Sequence, residues 1–422
     1  MFGLKHRFRK VAFALFIGGV LAAPAGAQYR LTVNGDRLLN AQNEPQNWLL
    51  MNGDYAATRY SRLTQINREN VKDLRLVWAK ALGGMQDMGP NGPQNEVNPL
   101  IDNGFMYTTD GWGTVYKIDA RNPYKGEFVW VTDPGVKRQG NTSMTRGIAL
   151  WEDKVLANLP DGRVIAINRH NGEIIWDKMV ATRNEFGLQE KFLTAPLVAD
   201  GKVLIQNGAG DGGTRGWVAA LDVNNGNELW RWYVVPKPGD PGSETWKDKN
   251  EAWKTGGGGI WQTGSYDPVN KLYIFGTGNP YPIYDVQARP GDNLYTDSVV
   301  ALDATTGELK WHFQFTPNDG YDYDSVQVPV LADINWRGTP TKAMFWANRN
   351  GFFYVLDRAT GKFLSGTPFV KVNWASGFDE KGRPIQTPQP PGAPTWPGNQ
   401  GGTNWYPPSF SPRTGLFYFS AW

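Results

Sequence analysis

The chain has 422 residues, among them 50 Gly, 29 Pro and 19 Trp, a formal charge of +3 and no Cys. The missing thiols exclude disulfides, thiolate metal sites and a thioether-linked haem in this chain. The small net charge, with no basic run past residue 10, argues against nucleic acid as a partner, and the Gly and Pro content favours short strands and tight turns over long helices.

In chain order, Lys5, His6, Arg7, Arg9 and Lys10 precede an apolar run over 11–23 that is too short to span a bilayer as a helix, followed by Ala25-Gly26-Ala27. This reads as a secretory signal peptide over residues 1–27, cleaved after Ala27, ahead of an exported domain over 28–422 with no stable membrane span. A repeat organises that domain. VYKIDARNPYKGEFVW, VIAINRHNGEIIW, VAALDVNNGNELW and VVALDATTGELKW end at Trp130, Trp176, Trp230 and Trp311, and YVLDRATGKFL from Tyr354 is a fifth copy without its Trp. Each copy reads as strand, turn, strand. Asp119, Asn168, Asp222, Asp303 and Asp357, with Gly126, Gly172, Gly226, Gly307 and Gly361, supply the turns. Antiparallel units recurring roughly every 45 to 80 residues, each closed by a Trp, predict an all-β protein with the blades of a β-propeller, the indoles packing between neighbouring blades.

Near the end of the chain, NDGYDYDSVQ (318–327) places Asp322 and Asp324 two residues apart in a strand-like setting. Alternation would send both carboxylates to one face, where a hard cation can bridge them; an acidic solvated turn is the plainer reading. A nicotinamide enzyme is disfavoured, because GAGDGG has no helix to follow it and no strand–GxGxxG–helix unit occurs.

GDYAATRYSRLTQIN (53–67), GAGDGGTRGW (208–217), TGGGGIW (255–261), GTGNP (276–280), RPGDNLYTDS (289–298), NRNGFFYVLDR (348–358) and GGTNW (401–405) carry a resemblance. From residue 47 onward the chain resembles the pyrroloquinoline quinone (PQQ)-dependent alcohol dehydrogenases of the methanol and ethanol dehydrogenase type. That resemblance implies an eight-bladed propeller, here incomplete at its C-terminal end with about six to seven blades present. It also implies PQQ and a metal on the axis, a small alcohol as substrate and a periplasmic cytochrome c as electron acceptor, with a homodimer as the assembly to test. By residue, it assigns Glu96, Arg146, Thr194, Trp261, Arg349 and Asn404 to the cofactor, Asp211, Asn279, Asp322 and Asp324 to the metal, and Asp322 and Arg349 to catalysis.

The chemistry agrees with those residue types. PQQ carries three carboxylates and an ortho-quinone, which guanidinium groups can fork onto or polarise, and Trp261 after four glycines offers a flat floor. Asp211, Asn279, Asp322 and Asp324 are hard oxygen donors carrying a charge of about −3, which favours a trivalent lanthanide over Ca²⁺. In the family an acid two places after the base marks the lanthanide branch. Asp211 stands where the family usually has Glu, about 1.3 Å shorter in reach. Gly208 and Gly259 replace residues that bear hydroxyls in relatives, and Gly140 and Asn141 replace adjacent cysteines that form a disulfide ring over the quinone. The competing class is a propeller without chemistry, a scaffold; it leaves the joint presence of Asn279, Asp322, Asp324 and Arg349 unexplained.

Overall fold

The computed structural model describes residues 32–83, 94–137, 144–387, 389–390 and 392–422. The signal-peptide reading and the Gly140–Asn141 substitution lie outside them. Strands dominate, and five four-stranded antiparallel sheets follow one another along the chain. Sheet I contains Leu100–Asp102, Phe105–Thr109, Val115–Asp119 and Glu127–Thr132; sheet II contains Ile148–Trp151, Lys154–Asn158, Arg163–Asn168 and Ile174–Met179. Sheet III contains Leu197–Ala199, Lys202–Gln206, Trp217–Asp222 and Glu228–Tyr233, and sheet IV contains Ser265–Asp267, Leu272–Gly276, Ser298–Asp303 and Leu309–Gln314. Sheet V contains Val330–Trp336, Thr339–Ala347, Phe352–Asp357 and Phe363–Pro368. Each is an up-and-down meander in chain order, the blade of a propeller.

Among the described residues five sheets have four strands, and Gln94–Asn95/Met144–Thr145, Ala375–Phe378/Pro384–Gln386 and Ser409–Ser411/Leu416–Tyr418 make three two-stranded sheets. Long connections over 234–264 and 277–297 separate named strands, and 369–408 holds one of those two-stranded sheets, Ala375–Phe378 with Pro384–Gln386.

The repeated turn is built the same way in sheets II to V. Gly172, Gly226, Gly307 and Gly361 donate their N–H to the carbonyls of Asn168, Asp222, Asp303 and Asp357, at 2.8–2.9 Å. All four glycines have φ between +72° and +82°, where a side chain is strained, and the strand pairing shifts by one residue just after them. The Asn or Asp side chain also caps the turn, accepting from the N–H two residues on, as at Asp222 from Asn224 (2.7 Å).

These glycines do a second job. A Cβ on Gly172 would meet the Trp130 ring at 3.0 Å, on Gly226 the Trp176 ring at 2.7 Å, on Gly307 the Trp230 ring at 2.6 Å and on Gly361 the Trp311 ring at 2.5 Å. Each repeat Trp therefore lies flat on the turn of the next sheet. Trp130 and Trp176 also donate Nε1–H to Arg169 O and Val223 O, at 3.1 and 3.0 Å. Ala166, Ala220 and Ala301 stand opposite three of the indoles across their own sheets and leave them room. Ser365 takes the fifth position, opposite Val355. Trp176→Ala is expected to cost about 3–5 kcal/mol, read as a lower urea midpoint, because it empties an inter-sheet contact.

Candidate functional site

The acidic segment is not a strand. Residues 315–324 form a loop, and Asp322 adopts φ +68°, so the strand-alternation expectation for Asp322 and Asp324 fails. The loop is shaped instead by Asp319, fully buried, whose carboxylate accepts the N–H groups of Tyr321 and Tyr323 at 2.9 Å each. The Tyr321 and Tyr323 rings stack with centroids 5.1 Å apart. The left-handed turn at Asp322 then restores what alternation would have given, both carboxylates at one guanidinium. Arg349 Nη1 donates to Asp324 Oδ2 at 2.5 Å, and Arg349 Nη2 lies 3.7 Å from Asp322 Oδ2.

Asn279 and Asp211 join this cluster from two other loops. Asn279 N–H donates to Asp324 Oδ1 at 3.0 Å. Asp211 lies in a single 3₁₀ turn, Gly210–Gly212, that presses against the glycine run: a Cβ on Gly210 would come within 2.5 Å of Gly259 N, and one on Gly259 within 2.6 Å of Gly210 N. A hydroxyl-bearing residue at 259 is excluded by that crossing, which accounts for the glycine there. It also brings the Asp211 loop into backbone contact with the glycine run. Protein bulk and then the Asp324 charge push the Asp211 carboxyl up, although one side of it faces solvent, while the Asn279 side chain favours its ionised form. Asp322 is pushed up to about 7 by burial and then by Asp324, against the pull of Arg349. Asp322 also accepts from Tyr284 OH at 3.3 Å.

A second cluster gathers around Arg146. Its Nη1 donates to Leu193 O and Trp261 O, both at 2.8 Å, and Nη2 forms an ion pair with Glu96 Oε2 at 2.8 Å. The guanidinium carbon is 5.3 Å from the Trp261 ring and 5.2 Å from the Trp405 ring. Thr194 is buried next to Leu193. Burial lowers the Arg146 pKa and Glu96 opposes that shift.

Two segments tie the clusters into one site. Gly259 O accepts from Gly278 N at 2.8 Å beside the acidic cluster, and two residues later Trp261 meets Arg146. Likewise Asn399 O accepts from Arg349 Nη2, Asn404 Nδ2 donates to Gln400 O at 3.1 Å, and Trp405 reaches Arg146. Eight of the ten residues expected from the sequence thus fall in two adjoining clusters, while Thr194 and Asn404 stand next in sequence to Leu193 and Trp405, which touch Arg146.

PQQ fits the donors this arrangement leaves free. Arg146 Nε, Arg349 Nε, Thr194 Oγ1 and both amide atoms of Gln262 are buried with no hydrogen-bond partner among the described residues. Buried orphans are costly unless something satisfies them, and guanidinium and amide donors suit carboxylates and quinone oxygens. Gln262, next to Trp261, was not predicted; an amide after a Trp carries no signal until its burial is seen. For the cation, the carboxylates are mutual neighbours that repel one another. Among the described residues, however, no three Asp, Glu or His side chains surround a common point. Arg349 takes one oxygen of Asp324, so the expected ligand set is adjacent and not a closed coordination sphere.

Asp297 was also missed as a site neighbour. It is fully buried, neither carboxylate oxygen has a partner among the described residues, and burial followed by Asp319 and Asp324 raises its pKa well above the usual range. Asp319 is raised to about 6 by burial. A carboxyl whose pKa is raised on folding holds its proton longer in the folded state. Its stabilising contribution is full below the unfolded value near 4 and is lost as pH rises through the folded value. Asp297→Asn is therefore expected to melt with wild type at pH 4 and above it at pH 7.5, measured by thermal unfolding.

Comparison with known proteins matches residues 48–395 to the family model for the PQQ glucose/ethanol/alcohol dehydrogenase β-propeller domain. The chain is 40% identical to the quinohemoprotein alcohol dehydrogenase of Comamonas testosteroni over 96% of this chain and 58% of that protein. It is 36% identical to the quinoprotein alcohol dehydrogenase PedH of Pseudomonas putida over 96% of this chain and 71% of that protein. Among solved structures, a europium-containing methanol dehydrogenase superposes with a TM-score of 0.82 at 33% identity, covering 92% of this chain and 70% of that one.

Proposed function

We propose, from the premise that this chain belongs to the PQQ-dependent glucose/ethanol/alcohol dehydrogenase β-propeller family, that it oxidises primary alcohols to aldehydes. The observation that carries this reading is the convergence of the Arg349–Asp322–Asp324 and Arg146–Trp261–Glu96 clusters on one site with buried donors to spare. Since the chain spans 58% of the Comamonas relative, the activity, substrate and partner are all part of the proposal.

Bound PQQ would supply the two-electron acceptor and a bound cation the Lewis acid. Arg146, Thr194, Gln262 and Asn404 would hold the cofactor's polar edge and Trp261 its flat face. Asp211, Asn279, Asp322 and Asp324 would hold the cation; a lanthanide is preferred over Ca²⁺ because the clustered negative charge rewards a trivalent ion. Asp322, half-open to solvent, takes the alcohol's hydroxyl proton at its carboxylate. Arg349 fixes the direction of Asp322 and Asp324 together. A periplasmic cytochrome c is the electron acceptor in this reading. Export to the periplasm, with cleavage after Ala27, completes the reading.

The test is reconstitution of the purified chain with PQQ and La³⁺, or with PQQ and Ca²⁺, followed by ethanol-dependent reduction of an artificial dye. Turnover with La³⁺ alone is the expected result. Turnover with Ca²⁺ alone rejects the metal assignment, and silence in both arms rejects the enzyme.

A further inference from the structure

Beside the last strand of sheet III, where the loop after Asp211 bridges to Gly257 through Arg215, a cavity of about 280 Å³ is lined by Arg183, Arg215, Arg231, Lys237, Glu185 and Glu190, with Tyr233 in its wall. Arg215 is its built element. It is 4% exposed, its Nε and Nη2 both donate to one acceptor, Val235 O, at 3.1 and 2.5 Å, and no carboxylate lies within ion-pair distance of it among the described residues. Its guanidinium carbon lies 4.3 Å from the Tyr233 ring and 5.2 Å from the Trp253 ring, so the group is held flat between two aromatics. That leaves the Nη1 edge without an acceptor, on a residue that lines the cavity.

The surrounding charges add to this. Arg231 is neutralised by Glu228 at 2.6 Å, and Glu190 is engaged by the Trp217 Nε1–H at 2.9 Å. Arg183 donates to Gly187 O, and Lys237 forms no ion pair among the described residues. Three unpaired cations thus face two glutamates, and the Glu185 side chain is exposed and free to turn outward. Glu185, Asp240 and Glu190 act on Arg215 only from beyond ion-pair distance, so its buried guanidinium stays weakly compensated, and an oxyanion would add two aligned charge-assisted hydrogen bonds at once.

We propose that this cavity is a binding site for a small oxyanion, a carboxylate or an inorganic phosphate, seated on the Nη1 edge of Arg215 and closed over by Lys237 and Arg183. It is distinct from the site of the proposed alcohol oxidation and does not depend on that reading.

Because Trp253 adjoins Arg215, tryptophan fluorescence of the full chain reports occupancy. Sodium phosphate and sodium acetate are titrated separately at ionic strength held constant with chloride. Saturable quenching or enhancement by either anion is expected; saturation by acetate alone assigns a carboxylate, and by phosphate alone a phosphate. Arg215→Met is expected to weaken binding about tenfold or more, and the exposed Lys237→Gln several-fold with unchanged melting temperature, so a folding defect in the first variant leaves the second to decide. A response no different from chloride, or affinities unchanged in Lys237→Gln and in any folded Arg215→Met, overturns the proposal.

Discussion

Asp322→Asn is expected to lower ethanol-dependent dye reduction by about 10²–10⁴-fold, the usual contribution of a positioned general base, while leaving PQQ binding measurable by its absorbance. The substitution keeps the shape of the side chain and its contact with Tyr284, 3.3 Å away, and removes only the ability to accept a proton at the carboxylate. The left-handed backbone at Asp322 tolerates Asn as well as Asp, so the loop should hold. A variant that retains more than about half of wild-type turnover would transfer the proton-accepting role elsewhere, with Asp324 ruled out as the replacement by its contact with Arg349 Nη1 at 2.5 Å.

Asp324→Ala carries the larger structural penalty. Asp324 accepts from Arg349 Nη1 and from Asn279 N–H, and truncating it leaves the buried guanidinium with only Asp322, 3.7 Å away, as a counter-charge. Breaking such a pair from one side costs about 3–5 kcal/mol, because the surviving charge stays buried. The same change removes a ligand and a full negative charge from the cation site. Terbium luminescence titration is expected to show lanthanide affinity falling about 100-fold, with Asp36→Ala, on the exposed surface far along the chain, leaving it unchanged. Asp297→Ala serves less well as the reference, since Asp297 is buried within the field of Asp324. Equal luminescence affinities in Asp324→Ala and Asp36→Ala would reject Asp324 as a ligand whatever the loss of stability.

The sequence repeats were legible because their signals are local. A left-handed glycine four residues after an Asn or Asp, and a Trp four residues further, each impose their geometry without help from the rest of the molecule. The long connection over 234–264 was not legible, since it looks in sequence like further strands and turns and folds with two 3₁₀ turns and no strand. At the site, eight of the ten side chains expected from residue types and resemblance lie in two adjoining clusters, with Thr194 and Asn404 only next to them in sequence. What they missed depends on burial: Gln262 and Asp297 look ordinary on paper and become informative only when their polar atoms are seen without partners. The strand reading of 318–327 failed because Tyr and Val content suggested pleating, whereas Asp319 satisfies two backbone N–H groups and winds the segment into a loop.

The contact of Trp130, Trp176, Trp230 and Trp311 with the glycine turn of the following sheet runs one way along the polypeptide. During synthesis, each sheet's indole therefore waits bare until roughly another fifty residues have emerged, and the newest finished unit is always the stickiest. Assembly should consequently proceed from the N-terminal side as a series of clasps, each fastened by its successor. A pulse of translation arrest just after Trp230 should leave a nascent product more prone to aggregate than arrest after Gly307, where the clasp has closed.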